Sequence, residues 1–264
     1  MILSQQDFSS RTYSSIVSVV PSLTELLYDL GLDKEVKGIT KFCVHPREWY
    51  AEKPRIGGTK TLDIEKIKTL HPDLIIANKE ENTKEQIEEL ALSLDVLVTD
   101  VDSLSSALQM IKNIGCLTGK KHEAYRMVEN IEQKFFLLQK KVSCYPKLNA
   151  AYFIWKKPYM IAGGDTFIND MMSSCNFENI FANEARYPEV TNEMLQHKKN
   201  ICQLVLLSSE PYPFCEKHIP EFQSIFLHAK VILADGEMFS WYGSRLLAAV
   251  DYFENFLMNI HLSK

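Results

Sequence analysis

The sequence predicts an α/β protein of two lobes, each built on a parallel sheet, with one long helix between them. Three observations predict it. Short apolar, β-branched runs alternate with amphipathic stretches along nearly the whole chain. Residues 120–142 keep a helical period with no Gly or Pro. The order helix-then-strand recurs in the second half much as it occurs in the first, which suggests a duplicated lobe, although unrelated α/β segments can look alike. The 264 residues suit one large or two medium domains, and 46% hydrophobic with 24% charged residues supplies a sizeable core. A net charge of -5 gives no bulk attraction to nucleic acid or anionic membrane, so nucleic-acid binding is set aside.

The first strand is the apolar run 16–20. Leu23, Leu26, Leu27 and Leu30 follow at helical spacing, Ser22 and Glu25 form a capping-box pair, and Gly31 closes the helix. Residues 36–40 form the next strand. An amphipathic helix over 62–70 is stopped by Pro72, and 73–77 is a buried strand. A helix over 83–94, a strand at 96–98 and a helix over 104–114 complete the first lobe, taken as 1–118. The linking segment is 119–145. Tyr125, Val128, Ile131, Phe135, Leu138 and Val142 recur there at spacings of three and four, which makes a helix roughly 35 Å long. Periodicity alone leaves a plain surface helix as the other reading. The second lobe, 146–264, has strands at 150–155, 204–207 and 230–233. Its helices cover 167–175 (capped by Asp165 or Thr166), a stretch starting at 193–197, and 245–260.

No nucleophile elbow, phosphate-binding loop or HExxH zinc motif occurs, so no catalytic constellation is expected. None of the six cysteines forms a CxxC pair; small buried hydrophobes in a reducing compartment is the plain reading. Cys43 and His45, two apart in an extended loop, could ligate a soft metal, or they are a packed Cys and a turn His before Pro46. What stands out is the density of aromatic residues in connections: Phe42, Tyr159, Tyr187, Tyr212, Phe214, Phe239, Trp241 and Tyr242, with Trp155 opening the 155–159 stretch. Rings with polar tips at strand C-terminal ends suit a pocket for a flat, amphipathic ligand.

Several segments, in order, carry a family resemblance. Residues 17–27 (VSVVPSLTELL), 38–46 (GITKFCVHP), 62–67 with 72–77 (LDIEKI, PDLIIA), 178–181 (ENIF), 187–190 (YPEV) and 235–245 (DGEMFSWYGSR) resemble the helical-backbone metal receptors. These are substrate-binding proteins for cobalamin, haem and ferric siderophores. The resemblance covers about residues 15–257. It implies two Rossmann-like lobes joined by a single backbone helix, with a ligand clamped in the cleft between them. No catalysis and no intrinsic cofactor are implied; a corrinoid, haem or ferric chelate is bound as ligand. Phe42 and Tyr187 fall where relatives have cleft aromatics, and Met160 falls on a third such position. Asn78 and Thr59 replace two tryptophans, a departure from the cobalamin binders. The expected ligand contacts are Phe42, Lys41, Lys79, Glu81, Asn82, Trp155, Tyr159, Tyr187, Phe239, Trp241, Tyr242 and Arg245. Glu65 and Glu193 match the glutamates that dock on an ABC transporter permease, one in each lobe.

A monomer that does not span a membrane is expected, since no apolar run approaches the roughly 20 residues that spanning needs. By resemblance the compartment is the periplasm or cell surface. Residues 1–7 have no basic n-region or long apolar h-region, so a cytoplasmic carrier, sensor or cofactor-metabolism protein is the alternative.

Overall fold

The computed structural model describes residues 1–4, 7 and 11–262. Gln5 and Gln6, on which the expectation about an export signal partly falls, lie outside the described residues. The chain divides into two compact units. The first holds Met1–Val101, Ser105–Asn130 and Tyr242–Arg245; the second holds Asp102–Leu104, Ile131–Trp241 and Leu246–Lys264.

The first unit contains β1 (Ile16–Ser18), α1 (Pro21–Asp29), β2 (Val36–Ile39), α2 (Arg47–Glu52), α3 (Ile64–Thr69), β3 (Leu74–Asn78), α4 (Lys84–Ala91), β4 (Asp95–Thr99) and nearly all of α5 (Leu104–Leu117). Its sheet has the order β2-β1-β3-β4 and every pairing is parallel. β1 and β3 are buried along their whole length, as parallel strands covered on both faces must be. Hence they read as continuous apolar runs in the sequence.

The start of α1 differs from expectation. Val20 is the N-cap and Pro21 occupies the first turn, where its fixed φ and missing N–H cost nothing. Ser22 therefore lies inside the helix and does not cap it. Its hydroxyl is buried with no hydrogen-bond partner, and Glu25 turns instead to Arg245. The other end is as expected. Gly31 has φ 74°, Gly31 N donates to Tyr28 O and Leu32 N to Leu27 O, at 2.8 and 3.1 Å, the paired bonds of a Schellman stop.

α6 (Lys121–Val142) carries the chain from the first unit into the second as one uninterrupted helix of 22 residues. Its buried stripe is Ala124, Val128, Ile131, Phe135, Leu138 and Val142. Tyr125, expected on that stripe, is 41% exposed, and Ala124 replaces it. The small side chain is required: a Cβ on Gly115 of α5 would lie 2.3 Å from the Ala124 Cβ, so the two backbones approach where neither helix has bulk.

The second unit holds β5 (Leu148–Trp155), β6 (Met160–Ile161), α7 (Phe167–Ser174), β7 (Phe177–Asn179), α8 (Asn192–Lys198), β8 (Leu204–Ser208), α9 (Ile219–Ile225), β9 (Lys230–Ala234), α10 (Gly236–Ser240) and α11 (Leu246–Leu262). The order is β6-β5-β8-β9, with β7 also paired to β5. β5, β7, β8 and β9 are parallel, whereas β6 returns antiparallel along β5. That return is a departure from the all-parallel expectation. The turn between them carries Lys157 at φ 65° followed by Pro158, which reverses the chain too sharply for a helical crossover. Thr166 caps α7 through Asn169 N at 3.2 Å, settling the choice between Asp165 and Thr166.

Candidate functional site

In the first unit the loops after β1, β2 and β3 leave the C-terminal edge of the sheet. The loop after β2 carries Lys41, Phe42, Cys43 and His45. Phe42 is 51% exposed, its edge rests over the Cα of Gly58, and Lys41 Nζ sits 5.2 Å from its ring centre. A Cβ on Gly58 would approach Phe42 Cε2 to 3.1 Å, so glycine is what admits the ring there.

Cys43 points the other way. It is 0% exposed, and its Sγ lies 3.1 Å from both Thr24 Oγ1 and Thr40 Oγ1. Burial pushes the thiol up from its ordinary range. A protonated, fully enclosed thiol is a poor metal ligand, and the expectation that Cys43 and His45 jointly hold a metal gives way to a packing role for Cys43. Among the described residues no group of three or more His, Cys, Asp or Glu could hold an ion.

The loop after β3 carries Lys79, Glu81 and Asn82. Lys79 pairs with Asp100 at 2.6 Å, and both are well exposed. Asn82 is only 6% exposed. Its amide nitrogen donates to the carbonyls of Val19 and Thr59, and its oxygen accepts from Asn78 N. Asn78 in turn accepts from Glu80 N and Glu81 N. These two asparagines shape the loop, so the expected ligand contact at Asn82 is replaced by a structural one.

Tyr242 and Arg245 belong to the same unit. The Tyr242 hydroxyl, in a residue only 6% exposed, donates to Glu81 at 3.4 Å. Arg245 meets Glu25 through Nε at 2.9 Å and Nη2 at 2.7 Å, with the side chains 13% and 18% exposed. Burial raises the Glu25 carboxyl above its ordinary range and the guanidinium only partly offsets this.

In the second unit Trp155 is 38% exposed at the end of β5 and stacks edge-on to Tyr212 with centroids 5.7 Å apart. Tyr159 is half-buried; its hydroxyl and Lys156 Nζ both donate to Glu221 of α9. Tyr187 is also half-buried, one residue after Arg186, which has φ 57°. Phe239 is 0% exposed, packed between Tyr152 and Phe253 with centroids 5.2 and 4.8 Å away. It is a core residue, not the surface ring expected from its position in the sequence. The register of α10 turns it inward.

Trp241 is 7% exposed and donates Nε1–H to Glu210 Oε1 at 2.9 Å. Ser240 donates to the same oxygen at 2.8 Å. Glu210 was missed from the sequence. A carboxylate just past the apolar run 204–208 is the signal that would have found it, because such positions fall at the C-terminal edge of a parallel sheet. Burial raises its pKa, with Glu237 and Asp235 adding repulsion. These three carboxylates, with Ser209, Phe214, Leu233 and Ala234, line an open pocket of about 450 Å³.

Glu65 and Glu193 stand almost fully in solvent, at 83% and 86% of the side chain. Each stands two residues after a capping side chain, Asp63 on α3 and Thr191 on α8. Lys68 pairs with Glu65 at 2.8 Å and His197 lies 4.0 Å from Glu193.

Two α/β units, each a mainly parallel sheet, with a single helix continuing from one into the other and rings at the strand ends, define the two-lobed class of solute-binding folds. The profile of the family described as periplasmic binding protein matches residues 16–205, and the chain belongs to that family. A vitamin B12-binding protein of Photorhabdus laumondii is 24% identical over 257 residues, 95% of this chain and 91% of that protein. An uncharacterized ABC transporter substrate-binding lipoprotein of Bacillus subtilis is 27% identical over 202 residues; the match spans 73% of this chain and 63% of that relative's length. Among solved structures, the periplasmic vitamin B12-binding protein of Vibrio cholerae superposes with a TM-score of 0.80 at 21% identity, covering 96% of this chain and 99% of that one. A periplasmic haem-binding protein from Roseiflexus gives 0.77 at 18% identity, covering 92% and 98%. At those identities the structures share the fold.

Proposed function

We propose that this chain is a non-enzymatic substrate-binding protein that holds a metal chelate (a corrinoid, haem or ferric siderophore) and delivers it to an ABC import permease. The observation that carries this reading is membership of the periplasmic binding protein family over residues 16–205, in a chain with exposed rings and the Lys79–Asp100 pair at its strand ends. The names of the relatives, vitamin B12-binding, haem-binding and ABC transporter substrate-binding, support the ligand class and the partner. Delivery to an import permease places the work in the periplasm or at the cell surface, and the protein acts as a monomer. Among the described residues no helix is long and apolar enough to cross a membrane.

Of the rings expected to meet the ligand, Phe42 and Trp155 are the exposed ones, at 51% and 38%, and supply stacking. In the first unit Lys41 and Lys79 add charged tips and in the second Tyr159 and Tyr187 add hydroxyls, while Glu81, Trp241, Tyr242 and Arg245 contribute through the partly buried pairs described above. Glu65 and Glu193 serve as permease contacts. The metal arrives inside the chelate, so the protein needs no closed set of ligands of its own.

Absorbance titration with cyanocobalamin, haemin and a ferric trihydroxamate tests this. One of the three is expected to show a shifted band at one-to-one stoichiometry, and Phe42→Ala should weaken that binding about tenfold, the loss of one stacked ring of roughly 1.4 kcal/mol. Unchanged spectra for all three probes at about 100 µM, a concentration where even weak receptors load, would sink the proposal.

A further inference from the structure

We propose that Cys43 is a positioning residue: its buried thiol bolts the loop after β2 to the sheet and to α1, and so holds the Phe42 ring out as a fixed platform. The claim rests on the reading of Phe42 as a ligand contact. Phe42 and Cys43 are consecutive and face opposite ways, one 51% exposed and the other 0%. Between Lys41 and Pro46, Cys43 is the only residue that is buried.

Its Sγ joins two elements. Thr40 Oγ1, at the end of β2, lies 3.1 Å away, and Thr24 Oγ1, on α1, lies 3.1 Å away on the other side. Thr24 Oγ1 is itself 2.8 Å from Ser18 Oγ at the end of β1. Thr40 Oγ1 accepts the Phe42 N–H at 3.2 Å, and Cys43 N donates to Thr40 O at 3.2 Å. The thiol is thus one bond away from the group that fixes the Phe42 backbone. Beyond it, Lys41 N donates to Gly57 O at 2.9 Å, and position 57 requires glycine, since its φ is 99° and a Cβ would lie 2.4 Å from Thr61 O. This brings Gly58 beneath the ring. The ring has a floor in Gly58 and a cation in Lys41, and the thiol ties the loop inward to β2 and α1.

A rigid platform binds better than a mobile one because less side-chain and loop freedom is lost on binding. Removing the thiol leaves two threonine hydroxyls without a polar neighbour at their centre and frees residues 42–44. Serine keeps a polar atom there, so Cys43→Ser should recover what Cys43→Ala loses.

The test is a double-mutant cycle read in two ways, using whichever of cyanocobalamin, haemin or ferric trihydroxamate binds the unmodified chain. Cys43→Ala should weaken binding about three- to tenfold, Cys43→Ser should restore most of it, and in a Phe42→Ala background Cys43→Ala should change affinity less than twofold, the non-additivity expected when one residue acts through another. Amide hydrogen exchange of Cys43→Ala should quicken at residues 42–44, with protection elsewhere in the first unit kept. Equal loss of affinity in both backgrounds, or unchanged exchange at 42–44, overturns the proposal. If no probe binds the unmodified chain, the functional reading fails separately, and exchange at 42–44 still decides whether the thiol holds the loop.

Discussion

At the scale of single residues, two phenylalanines show what a sequence can and cannot say. Phe42 and Phe239 both stand in connections near the ends of strands, and both were expected to face a ligand. Phe42 does stand half in solvent, whereas Phe239 is enclosed by Tyr152, Tyr252, Phe253 and Phe256. Composition and loop placement locate a ring but not its direction, which depends on a backbone turn of one residue. Phe239→Ala should therefore cost about 3–5 kcal/mol of stability by thermal or chemical melting, as large-to-small changes in a packed core do. A loss below about 1 kcal/mol would return Phe239 to the surface reading.

Glu210 gives a second test at this scale. Burial, helped by Glu237 and Asp235, raises its folded pKa above the ordinary 4.5, while Ser240 and Trp241 only partly compensate. A raised carboxyl pKa means that the folded state favours the proton more than the unfolded chain does. The resulting stability is fully present below 4.5 and is lost as pH rises through the folded pKa. Melting of the unmodified chain and of Glu210→Gln, compared from pH 7 down to 4.5, should show the unmodified chain gaining on the variant as pH falls. Glu25 shifts in the same direction, so both proteins keep its slope and their difference isolates Glu210. A difference that is flat across that range removes the argument.

At the scale of elements, most of the fold was legible because its signals are local. The continuous apolar runs became β1, β3 and β8, and the unbroken period of 120–142 became α6. The shorter elements α2, β6, β7, α9 and α10 went unread. With two to seven residues each, they hold too few turns for a period to emerge. The Ser22–Glu25 capping box failed for a different reason. Pro21 starts the helix earlier, and Glu25 gains a tertiary partner in Arg245, 220 residues away, which no local pattern can announce. Around the candidate site, exposure was legible where it follows from element position, as at Glu65 and Glu193. It was not legible where side-chain networks decide, as at Asn82 and Cys43.

The turn before α7 carries another element-scale prediction. Gly163 N and Gly164 N donate to Arg186 O and Glu184 O at 2.8 and 2.9 Å, stitching this turn to the 182–186 segment. A Cβ on Gly164 would lie 2.0 Å from Ala182 O, and backbone cannot yield as a flexible side chain does. Gly164→Ala should cost upward of about 2 kcal/mol, in the range of forced backbone shifts, while Gly119→Ala, with only a Thr12 methyl 3.3 Å away, meets φ strain alone and should cost about half as much. Equal melting temperatures for the two variants would refute this account of the turn.

At the scale of the whole molecule, the chain repeats one device in each of its units: a short helix whose N-cap side chain binds the first-turn backbone, followed two residues later by a glutamate held out in solvent. Asp63 accepts from Lys66 N at 3.0 Å, and Thr191 from Met194 N at 3.2 Å. The glutamates contribute little to folding. A carboxylate in a first helical turn is worth about 0.3–1 kcal/mol, and an exposed pair such as Glu65 with Lys68 adds less than about 1 kcal/mol. Their exposure of 83% and 86% is more than stability requires and suits a partner rich in arginine, for which a carboxylate is the natural bidentate acceptor. Such rim charges govern encounter rate and orientation with a partner. They lie on helix starts, whereas Phe42 and Lys79 lie on loops leaving strand ends and Trp155 is the last residue of β5, so the two proposed functions should separate by mutation. Glu65→Lys and Glu193→Lys should each lower uptake of the bound chelate by cells relying on this chain as their receptor, and the double variant should abolish it, with affinity for the purified protein unchanged within twofold. The defect should shrink when only Glu→Gln is made, because neutral amides lose the attraction without adding repulsion. Uptake that survives the double reversal would remove both glutamates from the docking role, and a parallel loss of affinity would mean that the substitutions disturb the binding site instead.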